Sequence, residues 1–321
     1  MKTIGIIVPC YNEAAVLPLF YKETSAVMDT LSDRYQTEFI FVDDGSADET
    51  LRRITELAMT DARVKYISFS RNFGKEAAML AGMEYAVKHD YICIIDADLQ
   101  HSPDIIPQML DCVENQGYDV AASRRADRQG EEKLKSVLSG SFYKVINRIS
   151  ETKISDSAQD FRVMKKDVVK AILSMPEHNR FSKGIFSWVG FNVKWISHEN
   201  RERAAGETKW SMAGLLKYAV DGILGFTFAP LKLTFWCAGL SFLASLFGLL
   251  YAVVKNIAVE GYAPNLPLIL AAVFFVGAMI LLCLGIFGAY LARTYTEVKN
   301  RPKYIIAKTN TNVTYFNLEG E

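Results

Sequence analysis

Two long apolar runs without a charged residue lie in the C-terminal third of the chain, at residues 233–254 and 268–292. Each run exceeds the roughly 20 residues that a helix needs to cross the hydrocarbon core of a bilayer. The short link between the runs contains charged residues, glycine and proline, so we predict a transmembrane helical hairpin. Neither run contains Asp, Glu, Lys, Arg or His, which argues against a pore or a proton relay.

The basic residues around the hairpin predict its orientation. They precede the first run (Lys217, Lys232) and follow the second (Arg293, Lys299, Arg301, Lys303), whereas the link has only Lys255. Because Lys and Arg concentrate on the cytosolic side of membrane proteins, we expect both ends of the chain to be cytosolic. We expect the polar tail after Ala307 to be disordered.

The N-terminal part of the chain alternates between buried-strand patterns and helical patterns. Its apolar strand segments are residues 4–8, 39–42, 64–69, 92–95 and 120–123. This β/α alternation predicts an α/β fold with a doubly wound, mostly parallel sheet covered by helices on both faces.

Two carboxylates, Asp96 and Asp98, directly follow the fourth predicted strand. In an open α/β sheet, ligands bind at the carboxyl ends of the strands, so these side chains are expected at the site. Neighbouring carboxylates repel each other unless a cation neutralises them, and hard oxygen ligands suit Mg²⁺ or Mn²⁺. We interpret the pair as a metal–diphosphate site; taken alone, it is equally consistent with an acidic strand end in water.

Several other functions are disfavoured by the sequence. The turn after the first strand has no glycine, so the phosphate cradle of a dinucleotide-binding fold is missing, and there is no Walker A lysine motif. The formal net charge is zero, which argues against a nucleic acid partner. The five cysteines are scattered without metal-binding spacing, as expected for buried, reduced thiols.

Two segments outside the apolar runs have amphipathic helical patterns, at residues 134–149 and 212–224. A basic amphipathic helix often lies on an anionic membrane surface. The first segment fits an ordinary surface helix equally well, whereas the second continues directly into the hairpin and is the stronger candidate for an interfacial helix. Two interpretations fit the loop 71–75 equally well: it lines a nucleotide pocket, or it is a purely structural turn.

Six motifs in order resemble the family 2 glycosyltransferases of GT-A fold. They are Pro9-x-Tyr11-Asn12-Glu13, Val42-Asp43-Asp44-Gly45-Ser46, Asp96-Ala97-Asp98-Leu99-Gln100, Ser123-Arg124, Asp160-Phe161-Arg162 and Arg203-x-x-Gly206-x-Thr208-Lys209. With the hairpin, they are similar to bacterial polyprenyl-phosphate glycosyltransferases, the group related to dolichyl-phosphate mannose synthase. The resemblance covers residues 3–303, and it departs at Ser102, where many relatives have a second proline.

The resemblance implies a role for each matching residue. The nucleotide sugar would contact Pro9, Tyr11, Glu13, Asp43, Asp44 and Ala97, and Mg²⁺ or Mn²⁺ would be held by Asp96, Asp98 and Gln100. Donor and acceptor phosphates would be bound by Arg124, Arg203 and Lys209. Asp160 matches the carboxylate proposed as the base; it is also interpretable as a residue that orients Arg203 or the acceptor, or as a salt-bridge partner of Arg162.

The resemblance further implies a Rossmann-like GT-A domain with amphipathic interfacial helices and a transmembrane hairpin. We divide the chain into a cytosolic catalytic domain (1–210), an interfacial helix (211–230), two transmembrane helices (231–293) and a cytosolic tail (294–321). The expected protein is a homo-oligomeric, multi-pass enzyme of the bacterial plasma membrane. It would move one sugar, with inversion, from a UDP-sugar such as UDP-glucose or UDP-N-acetylglucosamine to undecaprenyl phosphate.

Two rival functions are weighed against this one. A processive polysaccharide synthase needs more membrane spans and usually a Gln-x-x-Arg-Trp motif, and the sequence has neither. A non-catalytic membrane scaffold that binds nucleotide sugar would need no arginines for an acceptor phosphate. In the proposed reaction those arginines matter more than a base, because a phosphate monoester with a second pKa of about 6 is largely dianionic at pH 7.

Overall fold

The structure is a computed structural model, and it describes residues 1–125, 148, 158–198, 220, 223–225, 227–258 and 266–312. Apart from a few residues, the amphipathic segments predicted at 134–149 and 212–224 lie outside this described part. The predicted boundary between residues 210 and 211 also lies outside it.

An eight-stranded sheet forms the centre of the N-terminal domain. The strands are β1 (Lys2–Cys10), β2 (Tyr35–Asp43), β3 (Val64–Phe69), β4 (Tyr91–Ile94), β5 (Val120–Arg125), β6 (Ala158–Lys165), β7 (Val193–His198) and β8 (Ile306–Thr309). The helices are α1 (Leu17–Asp29), α2 (Thr50–Thr60), α3 (Lys75–Ala86), α4 (Ile106–Glu114), α5 (Lys166–Leu173), α6 (Ser182–Trp188), α7 (Ala229–Ala258) and α8 (Leu266–Val298).

The strand order across the sheet is β7-β5-β6-β4-β1-β2-β3-β8. All strands run in one direction except β6 and β8, which pair antiparallel with their neighbours. The predicted mostly parallel, doubly wound sheet is therefore confirmed. Its five predicted strands are β1 to β5, and the structure adds β6, β7 and β8, which the sequence pattern did not predict.

Both faces of the sheet are buried by helices. Along β1, Ile6 joins the cluster that packs on α1, α2 and α4, whereas Ile7 joins the cluster that packs on α3 and α5. Because successive side chains point to opposite faces, a strand covered on both faces is apolar at every position. The helix α3 lies very close to β1, since a Cβ atom at Gly82 would collide with the Ile7 side chain.

The chain after α8 returns to the domain and pairs with the edge of the sheet. Residues Ile306–Thr309 form β8 antiparallel to β3, so the prediction of a disordered tail after Ala307 is wrong for the first residues of that tail. Tyr304 stacks on Phe69 with 4.8 Å between ring centroids, and the backbone N–H of Tyr66 donates to Asn310 Oδ1 at 2.7 Å. Pairing with an open strand edge stabilises a segment with few apolar residues.

The helices α7 and α8 form the predicted pair of long apolar helices. The segments Ala229–Lys255 and Ile269–Val298 are each long and apolar enough to cross a membrane. Their large apolar side chains are exposed in the isolated chain, including Phe235, Trp236 and Phe274. Apolar surface of this extent needs a non-aqueous environment, so the two helices indicate association with a membrane.

Candidate active site

The carboxyl ends of β1, β2 and β4 meet at one edge of the sheet. In the parallel registers, Cys10 lies opposite Asp43 and Ile7 lies opposite Ile94. The chain passes from β1 to β2 and β3 on one side, and then returns to place β4 on the other side of β1. This reversal is the topological switch point at which α/β sheets bind their ligands.

The residues predicted to bind the nucleobase lie along this edge, on two loops that are hydrogen-bonded to each other. Pro9 pairs in register with Val42 near the end of β1, and the half-buried Tyr11 follows that strand. The N–H of Asn12, a residue with φ of 52°, donates to Ser46 Oγ at 2.9 Å, and the N–H of Glu13 donates to Thr50 Oγ1 at 2.8 Å. The loops after β1 and β2 therefore form one unit.

Asp43 ends β2 as a buried carboxylate that is only 1% exposed. Its Oδ1 accepts the backbone N–H of Ser46 at 3.1 Å, and its Oδ2 accepts the hydroxyl of Ser68 at 2.7 Å. An ionised carboxylate has about four acceptor positions, so Asp43 retains capacity for a ligand donor while its orientation is fixed.

Asp44 faces the loop that leads into α3. Its carboxylate accepts the backbone N–H of Phe73 at 2.7 Å and that of Gly74 at 2.9 Å. Burial raises the pKa of Asp44 to about 6. The charge of Asp43 also raises this pKa, whereas the two hydrogen bonds lower it. The described contacts of Asp44 thus hold a loop, and its predicted contact with the nucleotide stays a prediction.

The predicted metal residues follow β4 in a tight turn. Asp96 and Asp98 are partly exposed, Ala97 between them is buried, and Leu99 has φ of 56°. The backbone N–H of Gln100 donates to Asp98 Oδ1 at 3.1 Å. The turn therefore brings both carboxylates to the edge where Asp43 and Tyr11 lie.

Lys75, the first residue of α3, forms a bridge that the sequence did not predict. Its Nζ lies 2.8 Å from Asp96 Oδ1 and 2.6 Å from Asp160 Oδ2. Although burial opposes ionisation of both partners, the charges of Lys75 and Lys183 hold the pKa of Asp160 well below its usual range. The two carboxylates in turn raise the pKa of Lys75. The only sequence signal was the loop 71–75, which was left open between two roles.

Strand β6 explains why Asp160 reaches this cluster. It runs antiparallel to β4 with Arg162 opposite Ile94, so that Asp160 lies beside the turn after β4. The Arg162 guanidinium donates to the backbone oxygens of Gln159 at 2.7 Å and Asp160 at 3.2 Å, and it lies over the Phe186 ring. The carboxylate of Asp160 is therefore paired with Lys75, while Arg162 contacts only its main chain in the hydrogen bonds described.

The basic residues predicted for phosphate binding are only partly described. Arg124 lies exposed near the end of β5, and its Nε donates to Ser197 Oγ at 2.8 Å. Strand β6 separates β5 from β4, which places Arg124 two strands away from the turn with Asp96. Arg203 and Lys209 lie outside the described residues, and their roles stay predictions.

The carboxylates at this edge fit a divalent cation. Asp96 and Asp98 supply hard carboxylate oxygens, the donors that Mg²⁺ and Mn²⁺ prefer. Within the described ranges, no group of three or more His, Cys, Asp or Glu side chains is arranged to hold a metal ion. Diphosphate and water oxygens would therefore complete the coordination, which is the usual arrangement for Mg²⁺.

A family model for glycosyl transferase family 2 matches residues 5–173, which is more than half of the chain. The chain belongs to glycosyl transferase family 2. This confirms the resemblance on which the site residues were predicted. The match spans β1 to β6 and α5, and it includes the carboxylate turn after β4 and Asp160.

Full-length relatives of this family 2 glycosyltransferase are found in several bacteria. It is 41% identical to the glycosyltransferase CsbB of Bacillus subtilis, over 96% of this chain and 92% of the relative. It is 38% identical to the prophage bactoprenol glucosyl transferase homolog of Escherichia coli K12, over 95% of this chain and 98% of the relative. One similar solved structure is glucosyl-3-phosphoglycerate synthase from Mycobacterium tuberculosis, which was solved with Mn²⁺ and UDP-glucose. The alignment covers 70% of this chain and 78% of the synthase, with 16% sequence identity and a TM-score of 0.47.

Proposed function

We propose that this glycosyltransferase moves one sugar from a nucleoside diphosphate to the phosphate of a polyprenyl lipid, with inversion at the sugar carbon C1. The observation that carries the proposal is the Asp96–Lys75–Asp160 cluster at the switch point of the sheet, next to the edge formed by Tyr11 and Asp43. A lipid acceptor is supported by the two apolar helices and by full-length relatives named bactoprenol glucosyl transferase.

The donor would lie along the edge formed by β1, β2 and β4. The fixed carboxylate of Asp43 is suited to accept a ring N–H of the base, and Tyr11 and Glu13 lie on the adjoining loop. We propose UDP-glucose as the first donor to test, because several relatives are named glucosyl transferases, and UDP-N-acetylglucosamine as the second.

In the reaction, the bond from C1 to the diphosphate oxygen breaks while a lipid phosphate oxygen forms a new bond to C1 from the opposite face. The products are a nucleoside diphosphate and a lipid phosphate sugar. A divalent cation at Asp96 and Asp98, when bound, would supply Lewis-acid stabilisation of the charge that grows on the leaving diphosphate.

Side chains of this enzyme would provide the remaining electrostatic help. The exposed guanidinium of Arg124 is suited to bind the acceptor phosphate with two parallel hydrogen bonds. The dianionic acceptor needs no base. Asp160, a weak base because its pKa is held low, is instead proposed to orient the acceptor or Arg203. Lys75 keeps Asp160 ionised and offsets the carboxylate charge that both phosphates must approach. Arg203 and Lys209 are proposed to share the phosphate-binding role.

We also propose that the catalytic domain and C-terminus lie in the cytosol of a bacterium, with α7 and α8 spanning the plasma membrane, and that the enzyme is a homo-oligomer. Protease added outside intact cells should then spare residues 1–230. A processive synthase is the second candidate; no observation in the described residues favours it, since they contain two candidate spans rather than a larger channel-forming set.

The proposal is tested by incubating membranes with undecaprenyl phosphate and a panel of labelled nucleotide sugars. Wild-type enzyme should give a lipid-extractable product that a chelator abolishes. Asp98→Ala should lower transfer at least about 100-fold without unfolding the protein, because it removes a proposed metal ligand. The matched control is Asp104→Ala, which removes an exposed carboxylate from the same loop region and should leave transfer unchanged. Normal turnover by Asp98→Ala, or turnover in the presence of chelator, would refute the assigned role.

A further inference from the structure

A cavity of about 360 Å³ lies where three distant segments of the chain meet. One wall is formed by the first turns of α3, with Glu76, Ala77 and Leu80. A second wall is the loop before α6, with His178 and Arg180, and the third is the segment between α8 and β8, with Arg301 and Lys303. The volume is within the range of small-molecule binding sites.

The walls of this cavity carry four basic side chains, from Arg71, Arg180, Arg301 and Lys303, and one carboxylate, from Glu76. Glu76 accepts the backbone N–H of Ser182 at 3.0 Å and also the Ser182 hydroxyl, and its charge favours the charged form of Arg180. Among the described residues, neither Arg301 nor Lys303 has an ion-pair partner within 4.0 Å. The walls of the cavity thus carry more basic than acidic side chains, and two of the basic ones form no ion pair in the described part of the chain.

Arg180 shows the same deficit at the level of a single atom. Its two terminal nitrogens donate to the backbone oxygens of Met175 at 2.8 Å and Ile172 at 3.4 Å. Its Nε is buried and has no hydrogen-bond partner in the described part of the chain. A buried donor without an acceptor costs free energy, and an anion close to the Arg180 guanidinium would offset part of that cost.

The nearby carboxylates only partly compensate this charge. Glu84 accepts the Tyr304 hydroxyl, Glu297 accepts the backbone N–H of His178 at 2.8 Å, and Glu177 lies close to Arg180. All three favour the charged form of Lys303, yet burial and then the charge of Arg180 still lower its pKa. A bound anion would therefore favour the charged form of Lys303, which burial opposes.

The position of the cavity relates it to the membrane. Helix α8 is a candidate span that ends at Val298, and Arg301 follows three residues later. The chain then pairs with β3 through β8, which fixes this segment on the catalytic domain. Glu76 follows Lys75 on α3, so the cavity adjoins the reaction centre but is lined by a different set of side chains.

We propose that this cavity is a binding site for a phosphate group separate from the reacting phosphates. Guanidinium groups match phosphate oxygens in bidentate geometry, and Lys303 adds a point charge. The phosphate could belong to an anionic lipid headgroup at the foot of α8 or to soluble phosphate, and the test separates these sources. The site does not depend on which sugar or acceptor the enzyme uses.

The test measures binding to the full-length, detergent-solubilised chain. The probes are mixed micelles containing phosphatidylglycerol, matched micelles containing phosphatidylcholine, and inorganic phosphate. The pocket variant is Arg301→Gln/Lys303→Gln, and the control is Lys299→Gln/Lys308→Gln, which removes the same charge from the same part of the chain. Since Arg301 is exposed, Arg301→Gln alone serves if the double variant does not fold.

Wild-type protein should bind phosphatidylglycerol micelles more tightly than phosphatidylcholine micelles, and the pocket variant should bind them at least about tenfold more weakly. The control should retain wild-type affinity. Binding of inorganic phosphate alone, lost in the pocket variant, would support the site with a soluble source. Equal affinities of the pocket variant and the control, or no binding of either phosphate probe by wild type, would overturn the proposal whatever the transfer assay shows.

Discussion

Replacement of Lys75 by methionine should inactivate the enzyme while leaving it folded. Methionine keeps the length and apolar stem of lysine but removes the charge that lies between Asp96 and Asp160. The two carboxylates would then repel each other and any approaching phosphate. We expect a loss of at least about 100-fold in transfer, comparable to the removal of one preorganised electrostatic group from an active site.

The cost in stability follows from the geometry of the two ion pairs. At 2.8 and 2.6 Å between N and O atoms, each pair would be worth about 6 kcal/mol at an effective dielectric constant of about 20. However, the Lys75 side chain is 37% exposed, and solvent screening reduces such pairs to roughly 1 kcal/mol or less each. We therefore expect Lys75→Met to lower the free energy of unfolding by at most about 2 kcal/mol.

The assay combines thermal unfolding in detergent with the pH dependence of sugar transfer. Because Lys75 holds the pKa of Asp160 well below its usual range, its removal should move the acidic limb of the pH–rate profile to higher pH. Lys75→Arg should restore stability and part of the activity. Lys88→Met removes a comparable ion pair, with Glu38 at 2.9 Å, from beyond the other end of α3 and should affect stability only.

The reasoning about Lys75 would be refuted by a folded Lys75→Met enzyme with wild-type turnover and an unchanged pH profile. Equal losses of activity in Lys75→Met and Lys88→Met would also contradict it. Such a result would mean that the bridge is only a structural ion pair.

Two further predictions concern stability. Asp44→Asn should remove a pH dependence of the free energy of unfolding. The pKa of Asp44 is about 6 in the folded state and about 3.9 in the unfolded state. The wild type should therefore lose about 3 kcal/mol of stability as pH rises from about 4 to about 6. Denaturant titrations at several pH values would show a flatter curve for the variant, and parallel curves would contradict the shift. Asn310→Ala should cost about 1 kcal/mol, because its side chain binds Tyr66 N–H and Val64 O on the edge strand. Thermal unfolding measures this loss, and an unchanged midpoint would show that these two hydrogen bonds do not stabilise the domain.

The predictions that succeeded rest on local patterns. The central parts of β1, β2 and β4 are buried on both faces, so each appears in the sequence as an apolar run followed by polar residues. The long uncharged runs of α7 and α8 are recognisable for the same reason, because a bilayer requires every exposed side chain to be apolar. Motif order then identified the family without any knowledge of the contacts.

The predictions that failed or were missing concern segments whose structure depends on distant partners. Strand β8 has only four residues, and its main-chain hydrogen bonds come from β3, more than 200 residues earlier. Strand β6 was known only through its Asp160 motif, because its antiparallel place beside β4 is set by the sheet and not by its own pattern.

The sequence alone determined the α/β class, the two apolar helices and the carboxylate turn after β4, since burial and membrane length act on neighbouring residues. The tertiary structure decided what those carboxylates contact. Lys75, Asp96 and Asp160 lie on three separate elements, and their ion pairs form only once the sheet has placed β6 beside β4 and the loop after β3 has positioned α3. Charge pairing depends on distance in space, which spacing along the chain does not contain.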